Sequence, residues 1–386
     1  MNIVCIPYHD WRKINKEGAR TRDAHFIHHL SHSNDVAKTL IINRPTTYLE
    51  ILLKKNPPIK GEVVLQEGGF VLYKVEDRLF VLDYITSDII GQLLLKKKWF
   101  FKAFGLQKLH SFFSKSLEHL GIDSYEIICQ NVFAHQFVTK NFEAKSVFDA
   151  WDNFLQFPDN RNIETELQEA YADLAGNATF WITNSVKNIA YFTEKFQVPK
   201  ITLIKNGVDF ELFQRQYPMP ADMQNLSGAK IGFGGKISHL FDHELFNFCL
   251  NAHPDKNFVV VGQILNAEVF SKIEKRPNFH YLGDKHYSEY PAYVTNFDIG
   301  IIPYVNNHLD SGADSIKAYE YIAAGLNAIG SQGAGMKELS DYMFVADSPS
   351  NFASLITKAL LHKQQNKLPK EHSWHCKTQA LLDILK

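Results

Sequence analysis

The sequence predicts two doubly wound α/β domains in succession, on three observations. Short apolar runs alternate with helix-like stretches along most of the 386 residues, the pattern of largely parallel sheets layered with helices. The alternation comes as two successive series rather than one. Between them, from Asn206 to Ser227, an Asn-Gly step, two prolines and polar residues punctuate the chain.

In the first series, Asn2–Pro7, Thr39–Asn43, Glu62–Leu65, Leu79–Leu82, Tyr125–Cys129, Ser146–Asp149, Phe180–Thr183 and Ile201–Ile204 read as strands. Arg22–Leu30, Trp99–Leu120 and Glu164–Ala175 read as helices. In the second series, Lys230–Phe233, Asn257–Val261, Phe279–Leu282, Asp298–Ile302 and Asn327–Ile329 are the strands, with helical stretches between them. The polar stretch from His362 to Lys370 reads as a linker into a final helix near Thr378–Ile384. Domain bounds follow at 1–205 and 206–370, with 371–386 as the C-terminal helix.

Lys plus Arg total 41 against 42 Asp plus Glu, so no global field draws nucleic acid, and none is expected as a partner. The four cysteines are scattered, with no CxxC pair, which excludes a zinc framework and points to buried, reduced thiols. No basic n-region precedes the first apolar run, and no uncharged run reaches the roughly 18 residues of a membrane span. A cytosolic protein is expected. A nicotinamide-binding reading fails because no G-x-G-x-x-G follows the opening strand.

The chemistry gathers in the second half. Ile231-Gly232-Phe233-Gly234-Gly235-Lys236 ends a strand in paired glycines, where backbone approaches a ligand and a following helix N-terminus attracts phosphate. Gly-Gly also makes ordinary turns. Further on, Lys317 and Glu320 lie three apart on a helix and share one face. They form either a surface ion pair, or a base for phosphate and an acid for ribose hydroxyls.

Several ordered stretches carry a family resemblance: Ile204–Asp209 with Phe213, Gly234–Lys236, Phe258–Gly262, Phe279–Gly283, Phe297–Tyr304, and Lys317–Tyr321 with Ala324-Gly325. Together they resemble the retaining nucleotide-sugar glycosyltransferases of the GT-B fold, family 4. Ser238–Asp242 is similar to the teichuronic-acid and polysaccharide-assembly subgroup. The resemblance implies two Rossmann-like domains facing across a cleft, acceptor domain first and donor domain second, with the C-terminal helix, preceded by Trp374, packed back on the first. It implies a sugar moved from a nucleotide donor, a UDP-sugar favoured, to a glycan or lipid-linked saccharide. No cofactor is implied. Gly234, Gly235 and Lys236 would line the diphosphate, with Lys317 on a phosphate, Glu320 on the ribose and the base near Gly262. Lys236, Lys317 and His135 would carry the catalysis, His135 against the donor sugar. One departure stands out: the family carries an acid eight positions before Glu320, where this chain has Gly312, and the nearby Asp310 and Asp314 are out of register. Donor identity, or activity itself, turns on that change. No Asp-x-Asp triplet occurs, which agrees with metal independence.

In the first domain, Lys16–His25 resembles the glycine loop and helix start that face the cleft, with Gly18 for close approach and Arg20 and Arg22 for phosphate. A solvated basic loop is the alternative. Asp149 and Asp152, three apart at a strand end, either bind acceptor hydroxyls or cap their loop. Lys96–Phe104 mixes lysines with Trp99, Phe100 and Phe101, and reads either as a core helix or as a segment docking on an anionic inner membrane face. Two other readings of function stay open: an epimerase on the same fold, and a non-catalytic nucleotide-sugar or glycan binder.

Overall fold

A computed structural model describes residues 1–305, 314–362 and 367–386. Two compact units are present: unit 1 is Met1–Ile204 with Thr378–Lys386, and unit 2 is Lys205–Lys377.

Unit 1 holds strands β1 (Asn2–Ile6), β2 (Lys38–Ile42), β3 (Thr46–Thr47), β4 (Glu62–Glu67), β5 (Phe70–Glu76), β6 (Leu79–Thr86), β7 (Glu126–Cys129), β8 (Ser146–Asp149), β9 (Phe180–Thr183) and β10 (Ile201–Leu203). Their order is β10-β9-β8-β7-β1-β2-β6-β5-β4, with β3 beside β6. Pairing is parallel except for β4-β5-β6. Strand β5 was not anticipated, although the preceding Gly68-Gly69 is a hairpin signal. The expected helix Trp99–Leu120 is two helices, Lys98–Phe104 and Gln107–Leu120. They part at Gly105, whose N–H closes the first helix, and at Leu106, which is extended. Trp99, Phe101 and Phe104 of this stretch are buried, the two phenylalanines in the core of unit 1. That burial removes these aromatic side chains from any membrane role. Of the four cysteines, Cys5, Cys129 and Cys249 are buried, but Cys376 is exposed.

Unit 2 holds β11 (Lys230–Gly234), β12 (Asn257–Val261), β13 (Phe279–Tyr281), β14 (Ile299–Ile302), β15 (Asn327–Ser331) and β16 (Phe344–Ala346), all parallel, in the order β13-β12-β11-β14-β15-β16. Strand β16 was not anticipated. Along β12, Phe258 and Val260 join one core cluster while Val259 and Val261 join another. Burial on both faces is why these strands read as continuous apolar runs. Trp374, expected ahead of the final helix, opens it and is fully buried. From Thr378 onward that helix belongs to unit 1, where the Lys145 ammonium reaches the carbonyl of Leu385.

Candidate functional site

Each sheet reverses its strand order once, and ligands of doubly wound sheets bind beyond the carboxyl ends of the strands at that reversal. In unit 2 the reversal lies between β11 and β14; in unit 1 it lies between β1 and β7.

The loop leaving β11 is Gly235-Lys236, and Gly262 leaves the neighbouring β12. Gly235 and Gly262 have φ of 152° and 151°, and a Cβ on Gly262 would stand 1.9 Å from the Gly235 carbonyl oxygen. A Cβ on Gly235 would meet Lys317 Cε at 2.5 Å and Nζ at 3.2 Å. Only glycine lets Lys317 lie against this loop. The ammonium is held by the Tyr304 hydroxyl at 2.6 Å and stands 4.9 Å from that ring's centroid. The helix Ile316–Ala323 carries Lys317 in its first turn, where the backbone dipole also favours an anion.

The amides of these glycines are already committed. Gly234 donates to the Tyr321 hydroxyl at 2.7 Å, Gly235 to the Val261 carbonyl at 2.8 Å and Gly262 to the Gly283 carbonyl at 2.9 Å. Clearance, rather than amide donors aimed at phosphate, is what the glycines supply. Lys236 follows in the same loop, half-buried.

Glu320 lies one turn beyond Lys317 and is buried, which excludes the surface ion pair. Its Oε1 accepts from the Tyr287 hydroxyl at 2.8 Å. Burial pushes its carboxyl up to about 7, against the opposing pull of Tyr287 and Lys317. Asp314 is committed as well: its carboxylate accepts from the Asn206 amide at 2.7 Å and the Tyr319 hydroxyl at 2.9 Å. Those bonds prevent it from standing in for a missing acid. Asp310 and Gly312 lie outside the described residues.

In unit 1, the loops after β1, β2 and β7, with the segments that follow β3 and β6, enclose a cavity of about 280 Å³ at the reversal. Four cations line it, Lys13, Arg44, Lys54 and Lys97, with Tyr8, His9 and Asp10 from the β1 loop and Asn131 and Phe133 from the β7 loop. Arg44 and Lys54 share the Glu50 carboxylate, and Lys97 donates to the Asn160 side chain at 2.6 Å. Burial lowers the Lys13 ammonium, a group that an incoming anion would favour. Beneath the cavity, Arg12 bridges Asp83 and Asp10 with all three buried, and Asn43 donates to Asp83 at 2.8 Å. His9 Nδ1 lies 2.9 Å from Asp23. Burial alone would raise the Asp23 carboxyl, but His9 and Thr21 bring it well below the ordinary range.

The first-domain residues singled out from sequence behave differently. Gly18, at φ 82°, ends the helix Trp11–Glu17, and Arg20 pairs with Glu17 of that helix at 2.7 Å. Arg22 and Asp149 form an ion pair at 2.8 Å with both side chains buried, so neither a solvated basic loop nor acceptor binding describes them. Desolvated and mutually neutralised, they tie the helix Arg22–His32 to the end of β8. Asp152 is half-buried, and its carbonyl receives the Tyr171 hydroxyl at 3.4 Å. His135 is buried against Phe101, with Asp173 2.8 Å from Nδ1. None of these residues lines the cavity. The imidazole that does is His9, which sequence reasoning missed; its signal was its position just past the first strand.

No family model matches the chain. It is similar to a Bacillus subtilis (strain 168) protein named "Putative teichuronic acid biosynthesis glycosyltransferase TuaH", at 27% identity over 192 residues, 46% of this chain. The match spans about half of that relative, 48% of its length. This is the kind of protein that the sequence resemblance pointed to. Among solved structures, sucrose-phosphate synthase from Thermosynechococcus elongatus matches with TM-score 0.70 at 12% identity, covering 100% of this chain and 98% of that one. The OtsA apo structure matches at 0.69 and 10% identity, covering 100% and 99%. Anabaena Alr3699/HepE in complex with UDP and glucose matches at 0.65 and 14% identity, covering 100% and 99%. The fold is GT-B.

Proposed function

We propose that the chain is a retaining, metal-independent glycosyltransferase, taking sugar from a UDP-sugar on unit 2 and passing it to a saccharide acceptor on unit 1. The observation that carries this reading is the placement of Lys317 against Gly235 with buried Glu320 one turn away. A cation fixed at a glycine-cleared strand end suits a diphosphate, and a carboxyl nearby suits the ribose hydroxyls. The name of the Bacillus relative and the UDP and glucose bound to HepE support the same direction.

In this reading the acceptor oxygen bonds to the anomeric carbon as the bond to the diphosphate oxygen breaks. The electron pair leaves with the nucleotide, and a departing phosphate oxygen takes the hydroxyl proton. Lys317 and Lys236 balance the charge that develops on the diphosphate. Metal independence rests on the absence of an Asp-x-Asp triplet and on these cations. The four cations of the unit 1 cavity favour an acceptor that carries negative charge, such as a lipid-linked saccharide phosphate. His9 takes the place first given to His135 as the imidazole at this end.

A thermal-shift panel of UDP, GDP, ADP, CMP and dTDP without added metal tests the donor half. UDP alone raises the midpoint, Lys317→Ala and Glu320→Ala abolish the rise, and Lys13→Ala leaves it intact. Silence from all five nucleotides, repeated by calorimetry, sinks the reading in favour of a glycan-binding relative. UDP binding with no turnover on any acceptor would instead make the chain a non-catalytic nucleotide-sugar binder.

A further inference from the structure

Two short helices of unit 1, Tyr48–Lys54 and Ile89–Leu95, bury none of their residues. They are tied to each other: the Gln92 amide donates to the Glu50 carboxylate at 2.6 Å and lies 2.7 Å from the Thr47 hydroxyl. Of the fourteen large apolar side chains exposed among the described residues, seven stand on this pair. Leu52, Leu53, Ile90 and Leu94 are 72 to 77% exposed, and Tyr48, Leu93 and Leu95 extend the patch. Scattered apolar residues on a surface need no explanation, but a cluster of this kind marks something that covers it.

The charge around the patch says what. Each helix ends in consecutive lysines, Lys54-Lys55 on one and Lys96-Lys97-Lys98 on the other, and Lys60 follows the first. Segments 48–60 and 88–98 carry these six lysines against two acids of their own, with Glu166 from outside paired to Lys98. Both acids are engaged within the fold: Glu50 holds Arg44 and Lys54, while Asp88 caps Gly91 and accepts from the Trp99 indole. A second copy of the same surface would set lysine against lysine. Leucines ringed by cations instead match a bilayer with anionic headgroups, the leucines entering the acyl boundary and the ammonium groups staying among phosphates. Among the described residues no helix is long and apolar enough to cross a membrane, so this contact lies in the interface plane.

We propose that the helices Tyr48–Lys54 and Ile89–Leu95 form one surface that seats the protein on an anionic lipid bilayer. Lysines of Lys96–Phe104 take part, but the apolar anchors are Leu52, Leu53, Ile90, Leu93 and Leu94, because Trp99, Phe101 and Phe104 of that segment are buried and Phe100 lines the cavity. The surface borders the unit 1 cavity, whose lining includes Lys54 and Lys97, but binding to lipid does not depend on sugar transfer.

Co-sedimentation of the full chain with vesicles tests it, comparing phosphatidylcholine alone with equal parts phosphatidylcholine and phosphatidylglycerol. The protein pellets with the mixed vesicles and stays in solution with the neutral ones. The variant Leu52→Ser/Leu53→Ser/Leu93→Ser/Leu94→Ser loses at least about tenfold in partitioning, since each exposed leucine contributes through buried area. Lys55→Gln and Lys96→Gln, chosen outside the cavity lining, each lower it about fivefold. Circular dichroism and the thermal midpoint stay as in the parent chain, because the replaced side chains are mostly exposed. Equal recovery from both vesicle types, or leucine variants that pellet like the parent, overturns the proposal. So does sedimentation velocity that shows a dimer broken by the leucine variant, which would assign the patch to a second copy. Loss of UDP binding with vesicle binding retained would count against the transferase reading alone.

Discussion

At the carboxyl ends of its strands, unit 2 is shaped by what is missing and unit 1 by what is buried. Gly235 and Gly262 leave room for Lys317 to lie across a bare backbone, and the side chains that matter come from one short helix. Unit 1 builds its cavity from segments far apart in sequence, and steadies it on Arg12, Asp83, Asp10 and Asn43 underneath. The first design fixes one cation by sterics. The second holds four cations around a space, two of them, Lys13 and Arg44, on segments anchored through desolvated charge. A site made by clearance should fail when volume is added, and one made by buried charge when a partner is taken away.

The largest effect follows from taking that partner away. Arg12→Met leaves Asp83 and Asp10 buried without their cation, which costs about 3–5 kcal/mol of stability. Urea denaturation followed by tryptophan fluorescence would measure it. The exposed pair Lys272–Glu268 is the control, since Lys272→Met should leave stability close to that of the parent chain. Similar effects for the two variants would mean that the buried network carries no special weight in unit 1.

The same contrast explains how much of the molecule was legible in its sequence. In unit 2 the strand runs, the paired glycines and the Lys317–Glu320 spacing are local patterns, so the sequence alone gives their positions. Both sheets announced themselves through apolar runs, apart from β3, β5 and β16, which are short or alternate only partly. The unit 1 cavity was illegible because Lys13, Arg44, Lys54 and Lys97 share no spacing that marks one site; only the sheet order gathers them. Arg22 and Asp149 misled for the same reason. Their types suit ligand binding, but 127 positions of separation hide that they bind each other. His135 sits near the right strand end yet on the wrong side of its turn, packed on Phe101 and Asp173.

The next effect belongs to unit 2 and depends on pH. Glu320 is raised from an ordinary value of 4.5 to about 7, so the folded state keeps its proton where the unfolded chain has lost it. Its contribution is complete below about pH 4.5 and fades as pH rises through 7, to a total of about 3 kcal/mol. Glu320→Gln should flatten that part of the stability profile between about pH 4.5 and 7. A profile with the same slope in the variant would show that another group is responsible, and would detach the burial of Glu320 from the energetics of this site.

The smallest effect sharpens the comparison most, because it adds a single methyl group. Gly262→Ala places a Cβ where the Gly235 carbonyl oxygen now stands, at a φ of 151° that alanine rarely adopts. Backbone strain of this kind costs about 1–3 kcal/mol, and the Gly235 loop has to shift against Lys317 to relieve the clash. Stability should therefore fall modestly while the thermal shift produced by UDP disappears, since the cation no longer meets its loop at the same place. The equivalent change in unit 1, Gly18→Ala, also meets a positive φ, 82°, but stands outside the cavity lining. It should lower stability by a comparable amount and leave the UDP response untouched. If the two alanines behave alike towards UDP, glycine clearance is a feature of the fold rather than of the ligand site.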